Sequence, residues 1–157
     1  MADNYTILSD TLSSREGKVF ITINGQNREL FEVRNCRAQL DLTVIERMMR
    51  GKRMMQHKVV GAKGTGTATL YFMNSELLNQ TIHYIKTGEF ARNKLQMINA
   101  DAQSTVGKQD ITLSDVIFKS IPVAAVEDSD DPIEFDSDFT YDDIDSLESF
   151  QLPANYR

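Results

Sequence analysis

The 157-residue chain has no tryptophan, one cysteine and two histidines. The single cysteine, Cys36, excludes an intramolecular disulfide framework and suits a reducing compartment. His57 and His83 have no Cys or His partner at ligand spacing, so no zinc site is expected. No Ser or Cys stands with a His in a recognisable nucleophile signature, and nothing argues for an enzyme or a cofactor. No run approaches the ~18 consecutive apolar residues of a membrane span. The opening MADNYTILSD lacks the basic and apolar regions of a signal peptide, and no membrane anchor is expected. Positive charge is nearly missing from one region. Residues 120–157 hold 11 of the 23 Asp/Glu but only Arg157 of the 17 Lys/Arg, a net of -10 against +4 for residues 1–119. That asymmetry suits a chain that meets copies of itself through opposite charges, or an acidic tail. It argues against a protein built mainly to bind nucleic acid, which needs a dominant basic face.

What is present suits one globular domain: 41% hydrophobic and 25% charged residues in a chain long enough to bury a core. Residues 1–17 are polar and read as an N-terminal arm. Val19, Ile21 and Ile23 alternate with Phe20, Thr22 and Asn24, and Asn24-Gly25 is a hairpin signal. The return strand is expected from about Arg28, with Phe31 and Val33 on one face. Cys36, Ala38, Leu40, Leu42 and Val44 then alternate with polar residues. The apolar phase slips near Arg34-Asn35, which demands a bulge or bend. Residues 64–73 alternate again. Asn74 or Ser75, the stripe Leu77, Leu78, Ile82 and Ile85, and the closing Gly88 predict a helix over 75–88. Shorter strands are expected around 93–99 and 109–119, the second slipping phase at Ser114-Asp115. A strand at 133–142 follows a loop at 127–132. Six to eight strands and one helix indicate a mainly β protein: two packed antiparallel sheets, a twisted sandwich or partly open barrel, with one flanking helix. The β domain is expected over 18–150, with 151–157 as a C-terminal tail.

Three stretches are candidates for function. GAKGTGTAT (61–69) fails as a phosphate loop, because Lys63 precedes its Gly64 and a strand, not a helix, follows; it reads as a turn feeding a strand. MMRGKRMMQHK (48–58) shows no clean period and is expected to be part of a long basic loop over 46–58. It lacks aromatics to stack bases and a lysine-rich amphipathic helix to dock on membranes. Methionines fill irregular gaps between surfaces, so a protein-contact loop is its best reading. The strand at 133–142 puts Ile133, Phe135, Phe139 and Tyr141 on one face and Glu134, Asp136, Asp138 and Asp142 on the other. That acidic face is either a solvated strand surface that discourages random edge pairing or a surface that meets the basic loop of another copy. No calcium-loop spacing accompanies it.

The run GKRMMQHK (51–58), Gly61, KGTGTATLYF (63–72) and a helix ending Lys86-Thr87-Gly88 resembles the tail tube proteins of contractile-tailed phages, especially those of Gram-positive phages and defective, bacteriocin-like prophages. INGQ (23–26), Phe31-Glu32-Val33, Ser120-Ile121-Pro122-Val123 and the acidic C-terminal strand extend the match over roughly 17–150. Where relatives often carry a tryptophan before Lys-Gly-Thr-Gly, this chain has Ala62. The resemblance implies a structural, non-enzymatic protein whose hexameric rings stack into a hollow tube inside a sheath, in a virion tail or tail-like particle assembled in the host cytoplasm. It implies the sheath, baseplate, terminator and tape measure proteins as partners, and a lumen that passes DNA or opens a pore. The contact candidates are then Arg47, Arg50, Lys52, Arg53, His57 and Lys58. Glu134, Asp136, Asp138 and Asp142 would line the lumen or meet that loop. The alternative is a monomeric β-barrel module binding nucleic acid through the basic loop.

Overall fold

Asn24 and Gly25 both take positive φ (52° and 80°), as a two-residue hairpin loop requires. They fold β1 (Gly17–Ile23) onto β2 (Gln26–Glu29) with Ile23 opposite Gln26. This computed structural model describes residues 5–13, 15–30 and 32–157. The expected return strand from Arg28 to Val44 is two strands. β2 ends at Glu29, buried Leu30 still donates its N–H to the Val19 carbonyl, and the Glu32 carbonyl already accepts the Tyr71 N–H of the second sheet. The chain therefore crosses between sheets at 30–32; the expected position of Phe31 lies outside the described residues.

β3 (Val33–Arg47) and β4 (Gln56–Tyr71) form one long antiparallel hairpin with register shifts at Val33/Asn35 and Thr43/Val44. The first shift is the bulge expected from the phase slip. The expected loop at 46–58 is much shorter: Glu46, Arg47, Gln56, His57 and Lys58 are paired strand residues, and the connection is 48–55. These strand ends carry no alternation because neither face of the hairpin is buried there, so the period that marks a half-buried strand is missing.

A helix, α1 (Glu76–Thr87), follows. The Asn74 Oδ1 accepts the Glu76 N–H at 2.9 Å, so Asn74 rather than Ser75 supplies the cap, and left-handed Gly88 closes the helix through Tyr84. Leu77 and Leu78 pack at the rim of the core, whereas Ile82 and Ile85 of the expected stripe are exposed. Arg28 bridges Glu32 at 3.1 Å and Glu76 at 3.0 Å, fastening the start of the helix to the crossover.

β5 (Asn93–Ala100) and β6 (Lys108–Phe118) pair in the first sheet. β6 bends at Asp115 (φ 57°), where the second phase slip was expected. Its first part pairs with β8 (Asp143–Glu148), and its end, Ile117–Phe118, pairs with β7 (Glu134–Tyr141). The ladder runs β2-β1-β5-β6-β7-β4-β3, with β8 beside β6. It is one continuous eight-stranded system folded into two packed layers through β6, the partly open form of the expected architecture. β8 has no apolar alternation and every residue in it is exposed, so hydrophobic period did not mark it.

The core lies between the layers. Ile21, Leu95, Leu113, Val116 and Phe139 are fully buried, with Leu70 beside them. Gly64 and Gly66 lie beneath the rings of Tyr141 and Phe139, and a Cβ on Gly66 would stand 2.2 Å from the Phe139 ring. The glycine-rich stretch is therefore a strand whose missing side chains make room for two aromatic rings on β7.

Candidate functional site

β7 covers β4 only from Gly64 to Tyr71. Beyond that, among the described residues, 41–47 of β3 and 56–63 of β4 pair only with each other. Seven strand residues rise ~3.4 Å each, so a two-stranded ribbon of roughly 24 Å extends past the body before its turn. Such a ribbon is marginal by itself in water. One of its faces is apolar. Leu42 and Val44 are 59% and 47% exposed, Val59 stands opposite Val44, and the face begins at Leu40, 49% exposed at the ribbon's base opposite Gly64. The sequence alternation marked β3's share of this face correctly, but the body covers only its beginning, at Cys36 and Ala38.

The turn at the ribbon's end carries Arg50, Lys52 and Arg53, all exposed and without an ion pair among the described residues. Gly51 takes φ 93°, which closes the turn from the Met49 carbonyl to the Lys52 N–H. Met48, Met49, Met54 and Met55 surround these cations, and all four are exposed. Arg47 and Lys58 share one ribbon face, through the pairs Arg47–Gln56 and Ile45–Lys58. His57 lies on the other face, opposite Glu46, with Nε2 3.2 Å from its carboxylate. The structure thus gathers all six expected contact residues at one end of one hairpin, three on its turn and three on its strands.

The acidic strand is arranged as expected on its inner side, where Phe139 and Tyr141 are buried and Ile133 and Phe135 half-buried. Its outer row is shorter. Glu134, Asp136 and Asp138 stand opposite Tyr71, Thr69 and Thr67 of β4. Arg34 donates to Glu134 at 2.6 Å and the Thr69 hydroxyl donates to Asp136 at 2.7 Å. Asp142 lies past the strand end, in the bend before β8, where Arg92 holds it. The row of four is therefore a row of three plus a separately paired carboxylate, because the strand turns from one layer into the other at that residue. Two of the four acids are neutralised within the chain.

Cys36 is half-buried, and burial pushes its thiol up to about 11. A protonated, partly covered thiol is a poor nucleophile. His83 is exposed on α1, with Nε2 3.6 Å from Glu89. Among the described residues no group of three or more His, Cys, Asp or Glu is placed to hold a metal ion. The arrangement offers surfaces rather than a reaction centre.

A family model described as phage tail tube protein matches residues 4–148. The chain belongs to the phage tail tube protein family. Two relatives come from Bacillus subtilis (strain 168). The uncharacterized protein YqbM is 32% identical over 142 residues, spanning 90% of this chain and 94% of its own. The phage-like element PBSX protein XkdM is 32% identical over 136 residues, spanning 87% and 90%. Among solved structures, a chain of the sheath–tube complex of the PVC extracellular contractile injection system, in the extended state, superposes with a TM-score of 0.66. It does so at 10% identity, over 89% of this chain and 93% of that one. The tail tube fold is thus shared at negligible sequence identity. This tail tube protein is structural, not an enzyme, and its ribbon and sheet faces are the surfaces to explain.

Proposed function

We propose that this tail tube protein closes into six-membered rings that stack into the hollow inner tube of a contractile tail, with the ribbon of each subunit lying on neighbouring copies. One observation carries the reading: a two-stranded ribbon exposes Leu40, Leu42, Val44 and Val59 along one face and four methionines at its tip. A soluble monomer gains nothing by holding such a face in water, and contiguous exposed apolar patches mark interaction sites. Sheet edges supply the second support. Among the described residues β3 has no strand on its outer side, and heterologous contacts that close into a ring remove open edges.

In this arrangement Arg47, Arg50, Lys52, Arg53, His57 and Lys58 contact the adjacent ring. The polar face of the second sheet, with Thr65, Thr67 and Thr69 beside Asp136 and Asp138, faces the lumen. Its hydroxyls and uncompensated carboxylates would let DNA slide without adhering. The outer surface meets a sheath protein, as in the sheath–tube complex of the PVC system. Baseplate, terminator and tape measure proteins complete the particle.

Electron microscopy of the concentrated purified protein tests the proposal. The expected images show rings and tubes of six-fold symmetry. A protein that stays monomeric by light scattering at high concentration, and gives no tubes when co-expressed with its tail-end partners, contradicts it. Salt-dependent binding of that monomer to DNA would favour the nucleic-acid module instead.

A further inference from the structure

An open groove of about 970 Å3 runs between β1–β5 and the edge of the β3–β4 sheet. Arg15, Lys18, Arg34 and Arg37 line it, around a floor that includes Val19 and Cys36. No acidic residue is among the described residues of the lining. Arg34 is held by Glu134. Arg15, Lys18 and Arg37 have no ion-pair partner among the described residues. A cleft walled by one sign of charge focuses its field outward and draws in the opposite sign.

The same chain carries a segment of matching chemistry. Residues 119–133 form no helix or strand. Within them, Glu127, Asp128, Asp130 and Asp131 stand in five consecutive residues, all exposed and none in an ion pair among the described residues. Val126, next to them, is 99% exposed. The segment thus offers an apolar residue followed by four carboxylates to a groove with an apolar floor, three cations unpaired among the described residues and the Glu134-bound Arg34. The other two candidates on this surface fit less well. The ribbon tip is itself cationic, and Glu134 of the acidic strand is already spent on Arg34.

We infer that the acidic 126–131 segment of one copy seats in the basic groove of a neighbouring copy. The inference rests on the ring-and-tube reading only in requiring a neighbour. It adds a second inter-subunit contact, separate from the ribbon and of opposite polarity. Such a contact sets register and association rate more than raw affinity.

Two charge-reversed proteins test it. One carries Glu127→Lys, Asp128→Lys, Asp130→Lys and Asp131→Lys; the other carries Arg15→Glu, Lys18→Glu and Arg37→Glu. Each alone is expected to assemble at least about tenfold more slowly than the unmodified protein, by light scattering. An equimolar mixture is expected to recover to within about threefold, because each reversed segment then finds a reversed groove. Wild-type assembly rates in either single variant overturn the inference. So does failure of the mixture to recover, which would mean that the segment and groove meet within one chain or not at all. If a reversed protein does not fold, the neutral set Glu127→Gln, Asp128→Asn, Asp130→Asn and Asp131→Asn replaces it. That set is expected to assemble more slowly and with a shallower salt dependence; an unchanged rate and salt dependence overturns the inference. Absence of tubes from the unmodified protein is a different result, and counts against the ring-and-tube reading itself.

Discussion

β4 is one strand in two environments. From Gly64 to Tyr71 it lies between β3 and β7, with Gly66, Ala68 and Leu70 buried; from Gln56 to Lys63 it has β3 alone beside it and every residue is exposed. β3 keeps its alternation across both regions: Cys36 and Ala38 touch the core, while Leu40, Leu42 and Val44 face solvent in the same phase. The difference shows what apolar periodicity reports. It marks an apolar face and does not say whether the cover belongs to the same chain; under the proposed assembly the ribbon's cover comes from other copies. In the body Phe139 and Tyr141 lie over Gly66 and Gly64; on the ribbon no such cover is present among the described residues.

Paired substitutions break or sharpen this contrast, taken in falling order of their effect on folding. Phe139→Ala empties a fully buried site and is expected to cost about 3–5 kcal/mol in denaturant titration, whereas Leu42→Ala on the ribbon should cost the free subunit under about 1 kcal/mol. Comparable costs would mean that the ribbon is held by the body after all. Gly66→Ala drives a Cβ to 2.2 Å from the Phe139 ring and 2.6 Å from the Arg37 carbonyl. Such overpacking costs about 1–3 kcal/mol. Gly61→Ala, on the ribbon, meets nothing nearer than the Thr43 Cβ at 4.0 Å, and its melting temperature should hardly move.

Substitutions on the ribbon should separate folding from assembly. Leu40→Ser, Leu42→Ser and Val44→Ser together are expected to leave the circular-dichroism spectrum of the subunit intact and to abolish tubes. Arg50→Glu, Lys52→Glu and Arg53→Glu together lie on the turn; folding should stay within about ±0.5 kcal/mol while ring stacking is lost. Normal tubes from the second set would place the turn outside the contact. The smallest effect concerns Cys36. Its thiol is pushed by burial to about 11, against an ordinary value of 9.0. The unfolded chain therefore releases that proton first. This group's contribution is constant below pH 9 and falls as pH rises toward 11. Iodoacetamide should modify folded Cys36 slowly at pH 8 and faster only above pH 10; rapid labelling at pH 8 would contradict the burial.

Much of the body was legible because local chemistry and tertiary context agree there. Asn24-Gly25 can make only a tight turn of this kind, and the phase slips at Arg34-Asn35 and Ser114-Asp115 could be met only by irregular backbone. Asn74 and Gly88 bracket the helix. Other features depended on partners distant in sequence. The glycines at 64 and 66 look like a flexible turn until Phe139 and Tyr141 are laid over them. The ends of the ribbon look like loop because their faces stay in water. The break at 30–32 is invisible because both strands flanking it are extended, and only their partners differ. Among the site residues, the basic cluster was legible as a cluster. The partners of Glu134 and Asp142 were not, since Arg34 and Arg92 are 100 and 50 residues away in sequence.

The central claim is that copies of the same chain cover the ribbon. Deuterium exchange at the backbone amides of residues 41–63, compared between free subunit and assembled tube, tests it most directly. A ribbon with two solvated faces opens readily, so its amides should exchange fast in the subunit. They should slow by about a hundredfold or more in the tube, since a factor of 100 is only about 2.7 kcal/mol of added protection. The amides of β5 and β6, already in the core, should change far less. Equal exchange of residues 41–63 in the two states would contradict the account.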